Sequence, residues 1–155
     1  MWEISTTEKQ VQVPPSHRWL NITGLVSLAI ADSGIAEGFV IIQTKHTTTG
    51  LSCGLLVQED EKGLMQDLLC LLDKVVPAEG CYTHDDFAVR TENLGPDERQ
   101  NAAAHLKAAF LQSSLTLVFK ARQLQLGQWQ SVLLFDFDPV GRPFRTLNIQ
   151  VCGTK

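Results

Sequence analysis

The sequence lacks the features that would place the chain in a membrane or on nucleic acid. No uninterrupted apolar run approaches the ~20 residues of a membrane span, and the opening MWEISTTEKQ is polar from its third residue, unlike a signal peptide. The 13 Lys and Arg residues are scattered and the net charge is −4, so no basic surface for nucleic acid is evident. We therefore expect a cytoplasmic protein that binds neither membranes nor nucleic acid.

Paired cysteine motifs are also missing. The cysteines form no C-x-x-C motif, and without a secretion signal their even number does not imply disulfides. We expect reduced thiols at Cys53, Cys70, Cys81 and Cys152. Cys81 and His84 form a C-x-x-H spacing, which alone is a weak sign of a metal site. The chain also has no glycine-rich phosphate loop and no internal repeat.

The length and composition that are present are those of one globular domain. A chain of 155 residues buries roughly 70% of its unfolded surface. Its 44% of hydrophobic and 19% of charged residues are ordinary values, so residues 1–155 are expected to form a single compact domain. Helical segments lie among the strands, and the last three strands are consecutive. This order favours an α+β fold with a mixed β-sheet of at least six strands and two or three helices.

The strands are predicted from β-branched and apolar runs. The first is WEISTTEKQVQV, which ends at a Pro-Pro turn. The continuous apolar run GFVIIQT indicates a strand covered on both faces, and LSCGLLV is expected to lie beside it. The predicted final strands are SSLTLVF, QSVLLFDFD and FRTLNIQV.

The helices are predicted from apolar residues at helical spacing. The first begins after Asn21 and ends at Gly34, and the second covers residues 60–76. The third is ERQNAAAHLKAAFLQ, with Asp97 and Gln100 as a capping pair. Its buried face is expected to contain Ala102, Ala103, Leu106, Ala109 and Phe110.

Three of the four histidines come from separate segments of the chain. His46 follows a predicted strand, His105 lies on the flank of the third helix, and His84 lies in residues 77–96, a loop whose length usually indicates function. Catalytic zinc sites are often assembled from distant segments that supply one histidine each. The alternative is that each histidine is an ordinary polar residue, as we expect for His17 beside the Pro-Pro turn.

The stretch KHTTTGLSCG carries hydroxyl groups where a core strand would carry Val or Ile. A hydroxyl run that includes Thr47 and Thr48 at a strand end can hold phosphate or ordered water, although threonines there can also reflect β propensity alone. Arg142 and Arg145 flank a turn. A guanidinium group suits an anion, but both residues are also compatible with ordinary surface charge.

Six motifs, taken together, resemble the YjbQ family, also called the secondary thiamine-phosphate synthase family. They are HTTTGL, QEDEKGLMQDL, VPAEGCYTHDD, NAAAHLKAAFLQSSLTL, LQLGQWQSVLLFDFD and GRPFR, and the resemblance covers about residues 39–151. It implies a compact α+β subunit that forms a homotrimer, with a metal- or phosphate-binding pocket near the subunit contacts. It also implies a weak thiamine-phosphate synthase activity, which joins a pyrimidine pyrophosphate to a thiazole phosphate.

The family motifs assign roles to particular residues of this chain. The resemblance implies that the catalytic residues are Glu59, His46, His84 and His105. A divalent metal, zinc or magnesium, would be held by His46, His84 and His105. The small phosphorylated substrate would be bound by Thr47, Thr48, Asn101, Trp129, Gln130 and Arg142.

The chain also departs from the family pattern. Ala103 stands where relatives often have a histidine, and Asp136 replaces a glutamate. Other departures are Gln58, Gln112 and Gln123, and extra residues between His46 and Glu59. Two functions therefore stay open, an enzyme that uses a metal or a bound phosphate and a non-catalytic homotrimer that binds a metal or a small anion.

Overall fold

The computed structural model describes residues 1–53 and 61–155. In these ranges the chain forms eight β-strands, three α-helices and one 3-10 turn at Thr83–Asp85. The strands are β1 (Trp2–Val11), β2 (Trp19–Asn21), β3 (Glu37–Thr44), β4 (Thr49–Cys53), β5 (Ser114–Lys120), β6 (Gln123–Leu124), β7 (Val132–Asp136) and β8 (Arg145–Thr154). The helices are α1 (Thr23–Ser33), α2 (Lys62–Val75) and α3 (Ala102–Ala108). The predicted α+β class is confirmed.

The strands form two sheets instead of one. The larger has the order β1-β8-β3-β5-β6 and the smaller has the order β2-β7-β4. Within the described residues every strand pairing is antiparallel, so the expected single mixed sheet is corrected to two antiparallel sheets. The expected pairing of β3 with β4 is also wrong, because residues 45–48 carry the chain from one sheet to the other and β4 pairs with β7.

The smaller sheet is covered on both faces, which explains the continuous apolar run of β7. Val132 and Leu134 belong to the main core, where they meet Val26 and Ile30 of α1 and the inner face of the larger sheet. Leu133 and Phe135 point the opposite way and pack with Met65 and Leu69 of α2. Alternate residues of one strand thus join two separate apolar clusters.

Helices α1 and α2 follow the predicted positions closely. Asn21 Oδ1 accepts a hydrogen bond from the N–H of Thr23 at 3.0 Å, and Gly34 ends α1 in the left-handed conformation with φ of 70°, which glycine adopts without strain. None of the helices in the described ranges is long and apolar enough to cross a bilayer. The four cysteines are free thiols, as expected.

Helix α3 differs from its prediction. It begins at Ala102, and residues 98–100, predicted as its first turn, have no regular secondary structure. Leu106 and Phe110, expected in the core, are 44% and 61% exposed. Its buried face instead contains the small residues Ala102, Ala104 and Ala108 together with Lys107, whose Nζ lies 2.5 Å from Asp73 Oδ1.

Candidate functional site

A polar cleft of about 690 Å³ opens where the turn after β3, the long loop, α3 and the β7–β8 connection meet. The described residues that line it are Lys45, His46, Thr47, Thr48, His84, Arg90, Asn93, Asp97, Glu98, Arg99, Asn101, His105, Asp138, Gly141, Arg142 and Arg145. Thus the three histidines from distant segments share one cleft. The ring centroids of His84 and His105 are 5.0 Å apart in an edge-to-face arrangement.

The threonines around His46 have two different positions. Thr44 and Thr49 are buried and their Oγ1 atoms lie 2.5 Å apart. Thr49 Oγ1 also donates to the carbonyl of His46 at 3.1 Å, so these two hydroxyls stabilise the turn. Thr47 and Thr48 line the cleft. The hydroxyl run therefore serves both the turn and the wall of the cleft.

His46 is held by the main chain of β8. Its Nε2 accepts a hydrogen bond from the N–H of Thr146 at 2.8 Å. Burial lowers the pKa of His46, and the nearby Arg145 guanidinium lowers it further. The ring is therefore neutral at pH 7, with its proton on Nδ1.

His84 is held by Arg90 from the same loop. Arg90 Nη1 donates to His84 Nε2 at 2.7 Å and to the His84 carbonyl at 2.9 Å, and its Nη2 pairs with Glu98. Because a guanidinium group can only donate, His84 Nε2 must accept. Asn101 Oδ1 lies 3.3 Å from the same nitrogen, so an accepting Nε2 requires the Asn101 amide in its flipped orientation, with the NH₂ group towards the ring.

His105 lies beside His84 in the cleft. Burial lowers the pKa of His105, and so does its neighbour His84, whereas the nearby backbone of Thr47 raises it. His105 is therefore a half-buried imidazole with a lowered pKa beside His84 in the cleft.

Asp85 joins the long loop to α3. Its Oδ1 accepts from the backbone N–H groups of Asn101 and Ala102 at 3.0 and 2.9 Å, which satisfies N–H groups at the start of the helix. Asp85 thereby fixes the position of Asn101 and His105 in the cleft. The sequence contained no signal for this contact, since the expected capping residue was Asp97.

The cleft has an excess of positive charge, although the chain carries −4. Five cationic side chains and three acidic ones line it among the described residues. Arg145 forms a buried bidentate pair with Asp136, with Nε–Oδ2 of 2.6 Å and Nη2–Oδ1 of 2.9 Å, and Arg99 pairs with Asp138. Arg142 has no hydrogen-bonding or salt-bridge partner in the described part of the chain. Arg90 and Arg99 were not predicted as site residues.

Two of the predicted site residues lie elsewhere. Trp129 and Gln130 are in the β6–β7 connection, outside the cleft lining. Trp129 is 48% exposed, and Gln130 Oε1 accepts from the N–H of Gly127 at 2.8 Å. Glu59 lies outside the described residues.

The described residues do not fit the three-histidine metal site that the sequence predicted. In the ranges 1–53 and 61–155, no three His, Cys, Asp or Glu side chains are placed to hold a metal ion together. The hydrogen bonds give the reason. A neutral imidazole has one lone pair available for a metal, and in His46 and His84 that lone pair already accepts from Thr146 and Arg90.

Known proteins of one family resemble the chain along most of its length. The family model described as UPF0047 protein YjbQ-like matches residues 7–154. A UPF0047 protein of Archaeoglobus fulgidus is 37% identical over 102 residues, which cover 66% of this chain and 69% of that protein. The UPF0047 protein YugU of Bacillus subtilis is 27% identical over 144 residues, 93% of this chain and 96% of YugU.

Solved structures show the same architecture. A YbjQ-like protein of unknown function from Sulfolobus solfataricus superposes with a TM-score of 0.80 at 24% identity and covers 99% of both chains. A YjbQ/UPF0047-family protein from Clostridium acetobutylicum gives a TM-score of 0.74 at 28% identity, over 92% of this chain and 97% of that one.

Proposed function

Since this chain belongs to the YjbQ-like UPF0047 family, we propose that its polar cleft binds a small phosphorylated molecule and that the protein is an enzyme acting on that molecule. The observation that carries the proposal is the cationic excess of the cleft in a chain of net charge −4. Arginine is well suited to this role because its planar guanidinium group binds phosphate through two parallel hydrogen bonds.

Arg142 is the arginine that we assign to the ligand. Arg90, Arg99 and Arg145 are each paired with a carboxylate, so their charge is partly neutralised. Arg142 is exposed and has no such partner among the described residues. Its guanidinium group can therefore bind a phosphate without breaking an existing ion pair.

Neutral donors complete the proposed binding site. His46 presents its Nδ1–H, since its Nε2 accepts from Thr146. The hydroxyls of Thr47 and Thr48 and the amide of Asn101 lie on the same cleft. N–H and O–H groups held in place before binding stabilise negative charge on a bound phosphate.

The specific reaction that we propose is the thiamine-phosphate synthase reaction implied by the family motifs. It joins a pyrimidine pyrophosphate to a thiazole phosphate, and the cations of the cleft would stabilise the departing pyrophosphate. The catalytic roles of His46, His84, His105 and Glu59 belong to this proposal.

The alternative is a non-catalytic anion-binding protein. Ala103 favours it, because its methyl group lines a cavity beside the cleft and offers no chemistry at the position where relatives often have a histidine. A measurement of enzymatic turnover distinguishes the two functions. If the protein binds pyrophosphate but never forms thiamine phosphate from the two substrates, the alternative holds for this reaction.

Binding to inorganic pyrophosphate, measured by titration calorimetry, tests the site directly. Arg142→Gln should weaken it by roughly tenfold or more, because a hydrogen bond to a charged group contributes about 1.5–3 kcal/mol. The matched control is Arg122→Gln, since Arg122 is also exposed but lies in the β5–β6 turn, away from the cleft. Equal losses in both variants would contradict the assignment.

We also propose that the chain assembles as a homotrimer through the outer face of the larger sheet. Ile4, Phe39 and Val118 stand in one row across this face, since Ile4 and Phe39 both oppose Cys152 and Val118 opposes Phe39. Ile4 and Val118 are 70% and 62% exposed, and Trp2, whose ring centroid lies 5.8 Å from that of Phe39, is 62% exposed. An apolar row of this kind on a sheet is a typical contact surface.

The mass of the assembly in solution tests this surface. Light scattering should give three times the 17.2 kDa of the chain, and Ile4→Glu should lower it towards the monomer. Leu28→Glu on α1, at a side chain that is 52% exposed, is the control and should leave the mass unchanged. A monomeric wild-type protein would exclude the trimer.

A further inference from the structure

The side chain of Arg99 links the segment that precedes α3 to the β7–β8 connection, and both segments line the cleft. Its Nη2 donates to both carboxylate oxygens of Asp138, and the distance to Oδ1 is 2.5 Å. Within the described ranges this is the only hydrogen bond or ion pair between residues 77–100 and residues 137–144. The position of Arg99 is therefore set from the opposite side of the cleft.

The guanidinium group of Arg99 packs directly on the backbone of Gly141. A Cβ atom at this position would lie 1.7 Å from Arg99 Nη2 and 1.9 Å from its Cζ. Both distances are far inside the ~3.5–4.0 Å at which heavy atoms make contact. The place that Arg99 occupies therefore requires glycine at position 141.

Asp138 is itself held by the buried ion pair of Asp136 and Arg145. Its N–H donates to Asp136 Oδ1 at 2.9 Å, and its carbonyl accepts from Arg145 Nη2 at 2.5 Å. The carboxylate that orients Arg99 thus belongs to a residue whose main chain is fixed on both sides. A side chain that is held in place before binding loses little entropy when a ligand arrives.

Arg99 keeps donors for a ligand, whereas Arg90 does not. In Arg90 the nitrogens Nε, Nη1 and Nη2 all have acceptors. In Arg99 only Nη2 is used, and no described residue accepts from its Nη1 or Nε. The side chain of Arg99 is 43% exposed and lines the cleft. Its remaining N–H groups can therefore bind a molecule in the cleft while the pair with Asp138 stays intact.

We propose that Arg99 is a second phosphate-binding residue of the cleft, and that Asp138 and Gly141 are the residues that position it. This inference rests on the proposed function, since it needs a phosphorylated ligand in the cleft. Arg142 directly follows Gly141 and lines the same cleft. A phosphate group has enough oxygens to accept a bidentate pair from Arg142 and further hydrogen bonds from Arg99.

A double-mutant cycle on the binding of inorganic pyrophosphate tests both roles. Titration calorimetry should show roughly tenfold weaker binding in Arg99→Met, which removes the charged donors. Gly141→Ala should weaken binding to a similar extent, because the added Cβ displaces the guanidinium group. The double variant should bind no more weakly than either single variant, since both changes remove the same contact.

The matched control is Gly63→Ala in α2, where an added Cβ meets no atom within 4 Å. It should bind pyrophosphate as the wild type does. The atoms that obstruct a Cβ at position 141 are the end of a flexible side chain, so the arginine should move and the fold of Gly141→Ala should stay intact. Circular dichroism of each variant checks that the fold is kept.

The Nε–H resonance of Arg99 in ¹H–¹⁵N spectra reports the contact directly. Addition of pyrophosphate to the wild-type protein should shift this resonance, and the shift should be lost in Gly141→Ala although Arg99 is still present. A merely structural role of Gly141 would not produce this pattern.

Unchanged binding in Arg99→Met overturns the assignment of Arg99, and a double variant much weaker than both single variants overturns the positioning role of Gly141. If Arg142→Gln loses binding and Arg99→Met does not, the proposed function stands and this inference alone is wrong. If Arg99→Met loses binding and Arg142→Gln does not, this inference stands and the assignment of Arg142 is wrong. A wild-type protein that does not bind pyrophosphate would contradict both.

Discussion

The cleft has one wall built from strands and one wall built from the long loop, and different bonds hold the two. The strand wall is held mainly by hydrogen bonds of the main chain. The N–H of Lys45 donates to the Thr146 carbonyl at 3.2 Å, and the N–H of Phe137 donates to the Thr48 carbonyl at 3.1 Å. His46 receives its hydrogen bond from the same main chain.

The loop wall depends on side chains. Within residues 77–101 the regular structure is a single 3-10 turn. Arg90, Glu98 and Asp85 connect this segment to His84 and to the start of α3. Side-chain contacts can be removed by substitution without breaking a sheet. Substitutions in the loop wall should therefore change the global free energy of unfolding less than substitutions in the strand wall.

The largest loss of stability is expected from a substitution in the strand wall. Asp136 and Arg145 are 0% and 2% exposed, so Asp136→Ala leaves a buried guanidinium without its partner. Breaking a buried pair in this way costs about 3–5 kcal/mol of the free energy of unfolding, measured by urea denaturation. The double variant Asp136→Leu with Arg145→Leu should recover much of that loss. If Asp136→Ala lowered the free energy of unfolding by less than ~1 kcal/mol, the two walls would not differ in their contribution to stability.

A smaller effect is expected on the loop wall. Asp85→Ala removes the acceptor for two N–H groups at the start of α3, which should lower the free energy of unfolding by about 0.5–2 kcal/mol. The amide resonances of Asn101 and His105 should shift, whereas those of β7 should not. The matched control is Asp86→Ala, whose carboxylate caps only the N–H of Ala88 in the same loop. If both variants shifted α3 equally, Asp85 would not be the connection.

Local features of the fold were predictable from the sequence, and long-range ones were not. Helices α1 and α2 follow from the periodicity of their apolar residues, and the ends of α1 also follow from Asn21 and Gly34. The start of α3 was misplaced because its capping carboxylate, Asp85, is 16 residues away from Asn101. The partners of β3 and β4 were misplaced because alternation of side chains reports which face a strand buries and not which strand lies beside it.

The candidate site also has features that were predictable from the sequence and features that were not. Residue type and context were enough to select His46, His84 and His105, which share one cleft. The donor that occupies Nε2 of His46 is a main-chain N–H 100 positions along the chain, and no pattern in the sequence indicates it. Arg90 was overlooked because an arginine in a polar loop is usually a surface charge.

The pH dependence of stability should come in part from His46 in the strand wall and from His105 on α3. The pKa values of His46 and His105 are lowered, in both cases mainly by burial. The unfolded chain therefore binds more protons than the folded one below about pH 6.5. Stability should be fully present above this pH and should fall as the pH drops through the folded pKa values.

Urea denaturation between pH 7.5 and pH 5 measures this slope. His46→Gln and His105→Gln should each flatten it, and together they should flatten it further. A variant of exposed His17, His17→Gln, should leave the slope as it is in the wild type. An unchanged slope in both cleft variants would mean that the acid sensitivity comes from other groups, such as Asp73, whose carboxylate pairs with Arg18 and Lys107.

The smallest effect is expected at the rim of the strand wall, where Lys45 pairs with Glu8 across 2.8 Å. Both side chains are about half exposed, at 47% and 54%, so solvent screens the pair. Lys45→Gln should change the free energy of unfolding by less than about 1 kcal/mol, measured by urea denaturation beside Asp136→Ala. A loss comparable to that of Asp136→Ala would show that rim charges, rather than main-chain pairing and the buried Arg145–Asp136 bond, hold the strand wall in place.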